Sequence, residues 1–316
     1  MISPAALLAL LIAQAPPVFR ADVEAVYVDV YVTRRGAPVA GLSDRDFVVK
    51  DDGVVQAVRV VEREEAPVTA VLVLDCSASV AGRKLEFLKA AAGRFVRGLH
   101  ARDEAALLAF QTRLELLHAA TADRAALLDA IGRMRAEGST SMIDALFVGL
   151  KRRWGSGRPV LVLFSDGRDT SSWLENEDLL RAARESSTVV YVVRTREEGA
   201  ERGESGQAYL LRRVAESTGG SSWSSGSGPE LEAAFREVLE TVNARYVLAY
   251  EPTGVSRGGR HRIELAVRRR GVDVRARREY YLPELPPPPS GERAAPVIPR
   301  RASPAATRPA TRRPPA

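Results

Sequence analysis

The residues that most constrain this chain run from Val71 to Ser79, Val-Leu-Val-Leu-Asp-Cys-Ser-Ala-Ser. Four consecutive apolar residues read as a strand buried on both faces, as in the middle of a parallel sheet. An acid and two hydroxyls at every second position follow at once: Asp75, Ser77 and Ser79. These are hard oxygen donors with little packing value, placed where an open α/β sheet forms its ligand crevice, outside the carboxyl ends of its strands. The pattern predicts that they hold a divalent cation. Cys76 lies between them and is expected to point the other way, into the core, as a small hydrophobe. A single cysteine excludes an internal disulfide.

Around this stretch the chain changes period twice. Val26, Val28, Val30 and Val32 alternate with Tyr27, Asp29, Tyr31 and Thr33, and Asp51-Asp52-Gly53 is a hairpin-turn signal between Phe47–Lys50 and Val54–Val61. So short an all-β unit makes a poor core and needs partner strands. From Val68 buried strands alternate with helices: strand Thr69–Asp75, helix Gly82–Leu99, strands Glu104–Phe110 and Leu114–His118, helices Ala125–Ala136 and Met142–Trp154, then strand Val160–Ser165. The link of Gln111 to Arg113 is too short for a crossover, so the two strands it joins are antiparallel. The alternation continues through Glu177–Glu185, Thr188–Arg194, Ala208–Ser217 and Pro229–Val242, giving a doubly wound, Rossmann-like α/β domain with a mostly parallel sheet and one antiparallel edge. Period two returns at Tyr246–Tyr250, Ile263–Val267 and Val272–Val274. These three strands are expected to pair with the early ones in one β-sandwich, into which the α/β domain is inserted.

The two ends read differently. Ala5–Ala15 is a short apolar run closed by Ala13-Gln14-Ala15, the pattern of a signal peptide, too short to span a bilayer in the mature chain. The chain has 316 residues and a net charge of +6, but the segment from Pro283 holds six Arg against two Glu, leaving about +2 for the body. That is too little to argue for nucleic acid. The same segment holds eleven of the nineteen prolines and almost no large apolar residue, so it reads as disordered. The expected organisation is a signal peptide at 1–15, N-terminal β-strands at 18–65, an α/β domain at 66–243, C-terminal β-strands at 244–282 and a disordered Pro/Arg-rich tail at 283–316. An exported protein is expected, in the periplasm, the cell envelope or secreted, and as a monomer.

Three ligands on one loop leave a cation site open, so other strand ends should contribute. Gly138-Ser139-Thr140 precedes the helix at Met142, and Ser165-Asp166-Gly167 ends a strand neighbouring the first. Asp75, Ser77, Ser79, Thr140 and Asp166 then form one oxygen-donor set. Each hydroxyl also suits a simpler role: Ser77 and Ser79 as caps of the helix near Gly82, and Thr140 as an N-cap. Asp75 and Asp166 are harder to explain without a cation, because neighbouring carboxylates repel. Asp144 and Asp169 read as supporting or surface residues.

Asp75-Cys76-Ser77-Ala78-Ser79, the Gly138–Thr140 loop and Ser165-Asp166-Gly167, in this order on an alternating fold, resemble the von Willebrand factor type A domain, the fold of integrin I domains, over Val68 to about Val242. The resemblance implies a metal-ion-dependent adhesion site in which Ser77 and Ser79 coordinate directly, and Asp75, Thr140 and Asp166 directly or through water. More narrowly, Gly41–Phe47, Asp51-Asp52-Gly53, Ser165–Thr170 and Arg245–Tyr250 resemble a bacterial family of exported von Willebrand A-related proteins first noticed in acidobacteria.

The chemistry of the donors bounds the function. All-oxygen ligation suits Mg²⁺, Mn²⁺ or Ca²⁺, and two carboxylates only balance a dication, which then accepts a carboxylate from a protein partner. CxxC, HExxH and GxSxG motifs are absent, and His100, His118 and His261 sit in no nucleophile-activating pattern. The expectation is therefore a binding or adhesion module and no enzyme. A structural envelope protein with a purely structural ion is the alternative, and a metal-assisted hydrolase the weaker one.

Overall fold

The computed structural model describes residues 25–62, 65–195, 206–226, 228–256 and 258–282. The expected signal peptide and Pro/Arg-rich tail lie outside the described residues. In chain order the strands of the first flank are β1 (Val26–Arg34), β2 (Ala37–Pro38), β3 (Phe47–Asp51), β4 (Val54–Gln56) and β5 (Arg59–Val61). The central part follows with β6 (Val68–Asp75), α1 (Arg83–Gly98), β7 (Glu104–Phe110), β8 (Leu114–Thr121), α2 (Arg124–Gly132), α3 (Met142–Lys151) and β9 (Arg158–Ser165). It continues through α4 (Asn176–Glu185), β10 (Val189–Thr195), α5 (Gly206–Ser217), β11 (Ser221–Ser225) and α6 (Gly228–Asn243). The second flank is β12 (Tyr246–Tyr250), β13 (Gly259–Val267), β14 (Asp273–Arg275) and β15 (Glu279–Leu282).

The central sheet has six strands in the order β11-β10-β9-β6-β7-β8. All its pairings are parallel except β7 with β8. Every residue of β6 is buried, and period two divides them between two cores. Val68, Ala70, Leu72 and Leu74 pack under α1, α2 and α6, whereas Val71 and Val73 pack under α3, α4 and α5. Fully burying a leucine such as Leu72 or Leu74 stabilises the fold by roughly 1.5–3 kcal/mol. The strand at the centre of the sheet is thus the best anchored, and Asp75 is its last residue.

The flanks form two further sheets, β14-β1-β12-β5 with β2 against β1, and β15-β13-β3-β4. Each mixes early and late strands: β1 pairs antiparallel with β12, and β3 with β13. One apolar cluster, with Val28, Val30, Val49, Leu248 and Ile263, draws on both.

Several strands differ from the sequence reading. Val54–Val61 is not one strand: β4 stays with β3, while β5 pairs with β12 in the other sheet. The break follows buried Gln56, whose amide accepts from Thr253 N at 3.0 Å and donates to Thr253 O at 3.0 Å, tying β4 down before the chain crosses over. β11, Ser-Ser-Trp-Ser-Ser, is an edge strand paired only to β10 and carries no apolar run to reveal it. β15 adds a fourth late strand beside the three expected.

Cys76 is buried at 3% exposure in the core cluster under α1. Burial, reinforced by the Asp75 charge, pushes its thiol up to about 12. Alkylation by iodoacetamide at pH 8 is therefore expected to be about a thousandfold slower in the native chain than in denaturant, where an ordinary thiol is exposed. Equal rates, read by mass spectrometry, would contradict this placement.

Candidate functional site

Three loops meet at the carboxyl ends of β6, β9 and β7. The register sets Leu74 opposite Phe164 and Asp75 opposite Phe110, so the residues after β6 emerge between those after β9 and β7. Backbone hydrogen bonds then join the loops. Cys76 N donates to Phe110 O (2.8 Å), Ala78 N to Gly138 O (3.0 Å) and Glu137 N to Cys76 O (2.8 Å). Gly138 has φ +72°, and a Cβ there would lie 2.5 Å from Thr112 Oγ1, so this crossing requires glycine. Ser141 N and Oγ both donate to Gln111 O, completing the junction.

Asp75 is fully buried. Its Oδ1 accepts from Ser77 N (2.9 Å) and its Oδ2 from Ser165 Oγ (2.7 Å). Ser77 is buried, Ser79 is exposed, and their hydroxyl oxygens lie 2.9 Å apart. That is roughly the spacing of adjacent oxygens around an ion with bonds of about 2.1 Å. Neither hydroxyl caps a helix: α1 has Gly82 at its N-cap, and Ser77 makes no capping bond to the short 3₁₀ turn Ala78–Val80. Thr140 is buried but does not cap α3, whose N-cap is Ser141. Its backbone is held from both sides, with N donating to Thr170 Oγ1 (3.0 Å) and O accepting from Thr170 N (2.9 Å) and Ser171 N (3.0 Å). The capping roles open to these residues in the sequence are therefore not the ones they take.

Asp166 Oδ1 accepts from Arg168 N at 3.1 Å. Its Oδ2 is buried and has no hydrogen-bond partner among the described residues. Burial raises the Asp75 carboxyl above its usual range, and the nearby Asp166 charge raises it further, although Ser77 and Ser165 oppose both. An orphaned carboxylate oxygen beside a second buried carboxyl is costly in a dry site unless a cation is shared between them. The donor set thus fits a hard dication held by Asp75, Ser77, Ser79, Thr140 and Asp166.

The residues that hold these loops were less apparent in the sequence. Asp169 Oδ2 accepts from Ile143 N (2.8 Å) and Ser172 Oγ (2.6 Å), placing negative charge on the first turn of α3. The Asp144 carboxylate accepts from Trp173 N (3.0 Å) and Leu174 N (3.0 Å). Both acids brace the loop after β9 against α3, Asp169 through Ile143, 26 residues away, and Asp144 through Trp173 and Leu174, 29 and 30 residues away. On this braced loop Trp173 is 94% exposed. Lys84 Nζ donates to Ser79 O at 3.4 Å. A separate cleft of about 720 Å³, between α5, β11 and β14, is lined by residues of mixed charge including Arg213, Glu216 and Arg275.

Comparison with known proteins adds a likeness over the central part of the chain. Residues 70–168, which contain all five donors, match the family model described as the von Willebrand factor type A domain. No curated protein matches the chain. Among solved structures, a von Willebrand factor type A protein from Catenulispora acidiphila is 18% identical, over 83% of this chain and 75% of that one, with a TM-score of 0.49. The conserved hypothetical protein BatB from Bacteroides thetaiotaomicron is 16% identical over 56% and 99%, at 0.45. The vWF domain of the type V pili tip protein Mfa5 from Porphyromonas gingivalis is 14% identical over 56% and 95%, at 0.44. At these values none of the three says what this chain binds.

Proposed function

We propose that this chain, which carries a von Willebrand factor type A domain, is an exported binding module that holds a divalent cation at Asp75, Ser77, Ser79, Thr140 and Asp166 and docks an acidic side chain of a protein partner there. The observation that carries the reading is the buried, unpartnered Oδ2 of Asp166 beside the buried carboxyl of Asp75. When bound, Mg²⁺, or Mn²⁺ or Ca²⁺ in its place, supplies a Lewis-acidic position to which a carboxylate can bind. The protein's own residues fix the donors and leave the ion no surplus negative charge. No group within the described hydrogen-bond network of the five donors is placed as a general base, which favours docking over hydrolysis. Export is read from the N-terminal apolar run, and the two flank sheets as a sandwich carrying the 66–243 domain. No helix among the described residues is long and apolar enough to cross a membrane.

Calorimetric titration with Mg²⁺ and Mn²⁺ tests the site. One equivalent is expected in the wild-type chain and none in Asp75→Ala, and equal heats would overturn the assignment. Retention of an envelope protein on the immobilised chain, abolished by chelator and by Asp75→Ala while folding is kept, tests the docking role. Loss of folding in Asp75→Ala would instead indicate a structural ion.

Trp173 lies on the loop that carries Asp166 out of β9, on a backbone braced by Asp144 and Asp169. An exposed, well-supported tryptophan has the character of an interface anchor. Trp173→Ala is expected to weaken partner binding by about 2 kcal/mol or more, roughly thirtyfold in Kd. Mg²⁺ affinity and Tm should stay unchanged. Unaltered partner affinity would remove Trp173 from the interface.

A further inference from the structure

The turn Asp51-Asp52-Gly53 does more than reverse the chain. Asp52 (φ 45°) and Gly53 (φ 84°) are both left-handed, as a two-residue hairpin link requires. This geometry turns the carboxylates of Asp51 and Asp52 towards β13, where His261 Nδ1 lies 3.1 Å from Asp51 Oδ1 and 3.0 Å from Asp52 Oδ2. Asp51 and His261 are fully buried, while the Asp52 side chain is 39% exposed, which leaves one side open to solvent. The three donor atoms lie within 4.8 Å of one another.

Two features distinguish this cluster from an ordinary buried ion pair. The first is charge. One imidazole faces two carboxylates, so even a protonated ring leaves a net negative charge, and a neutral ring leaves two. The second is that the atom of each residue turned away from the cluster is already occupied. Asp51 Oδ2 accepts from Tyr280 OH (2.6 Å) and Tyr250 OH (3.1 Å), and Asp52 Oδ1 accepts from Arg262 N (2.8 Å). His261 Nε2 lies 3.3 Å from Ser256 Oγ, and the ring stacks on Tyr280 with centroids 4.7 Å apart. Burial raises the phenols of Tyr250 and Tyr280 far above their ordinary range, so they remain donors. Outward atoms fixed by hydrogen bonds, with inward atoms converging, are the arrangement that orients metal ligands. Spacings of 3.0 and 3.1 Å are a few tenths of an ångström below the roughly 3.4 Å donor–donor edge of a tetrahedral shell with bonds of about 2.1 Å, so a slight opening of the cluster admits the ion.

We propose that Asp51, Asp52 and His261 form a cation site, separate from the one at Asp75, that takes a first-row transition dication such as Zn²⁺. A nitrogen donor beside two carboxylates favours such an ion over Mg²⁺, which the all-oxygen site prefers. Bound there, the ion fastens the β3–β4 turn to β13 across 210 residues of sequence.

The test uses the full chain carrying Asp75→Asn, which takes one of the two anionic donors from the oxygen site and is expected to stay folded without an ion, titrated with Zn²⁺ alone. One equivalent is expected to bind and to raise Tm, and X-ray absorption at the zinc edge is expected to show imidazole scattering. Adding Asp52→Asn, which keeps a left-handed residue and the acceptor for Arg262 N, should weaken uptake at least tenfold. Absent uptake, affinity unchanged by Asp52→Asn, or a zinc shell without imidazole would each overturn the proposal.

Discussion

In EDTA at neutral pH, Asp75→Asn is expected to melt above the wild-type chain, and in millimolar Mg²⁺ the order is expected to reverse. The first half follows from burial. Asp75 is fully enclosed, and burial followed by the Asp166 charge sets its carboxyl above the ordinary 3.8. A carboxyl raised by folding contributes stability that is complete below its unfolded value and is lost as pH rises through its folded one. The metal-free wild type should therefore lose stability with rising pH above about 4, whereas the amide variant lacks this slope. Asparagine keeps an acceptor for Ser77 N and presents an amide to Ser165 Oγ, so little packing is lost. The hydrogen bonds from Ser77 N and Ser165 Oγ offset only part of the cost of burying this charge, and the remainder, about 1–3 kcal/mol, is the expected gain in EDTA at neutral pH. Below pH 4 the two curves should converge.

The second half follows from linkage. An ion that binds only the native state stabilises it by about 2.7 kcal/mol at a hundred times its Kd, and the variant, lacking one of the two anionic donors, forgoes most of this. Denaturation of both chains from pH 3.5 to 8, with EDTA and with Mg²⁺, reads both effects. A variant less stable than wild type in EDTA, or no reversal in Mg²⁺, would remove the cation from the account of this site.

What the sequence disclosed and what it hid separate along a physical line. β6 was legible because a strand between two others must be apolar on both faces, and every residue of Val68–Asp75 is buried. β11 was not, because an edge strand has one neighbour and Ser-Ser-Trp-Ser-Ser follows no burial pattern. The donors on the loop after β6 were legible from local spacing. Ser165, which holds Asp75 from 90 positions away, and Asp144 and Asp169, which brace the Trp173 loop, owe their roles to tertiary contact. His261 shows the same limit. It sits in no local motif, yet the fold sets it against Asp51 and Asp52 and within reach of Ser256.

The largest loss of stability is expected at a residue far from the cation site. Arg245, between α6 and β12, has a side chain only 1% exposed. Its Nη1 donates to Tyr191 OH (3.1 Å), and its Nη2 donates to Asp29 O (3.0 Å) and Gly219 O (2.9 Å). Asp29 on β1 also pairs with Arg158 at the start of β9. One guanidinium thus binds a flank strand, a central strand and the turn before β11. That turn is tight: Gly219 has φ +81°, and a Cβ there would lie 2.7 Å from Arg277 N. Arg245→Met fills similar space but takes the guanidinium donor from two buried acceptors, Tyr191 OH and Gly219 O, and from the partly buried Asp29 O, and a loss of about 3–5 kcal/mol is expected in urea denaturation. Arg245→Lys should recover less than half of it, because a single ammonium cannot reproduce the planar fork across acceptors on both sides. Arg158 begins β9 and Ser165 ends it, so this anchor and the cation site occupy opposite ends of one strand. Their effects should add, with Mg²⁺ affinity preserved in Arg245→Met at temperatures where it is folded. Loss of Mg²⁺ binding in that folded variant would show instead that β9 transmits strain from the flank sheets to Asp166.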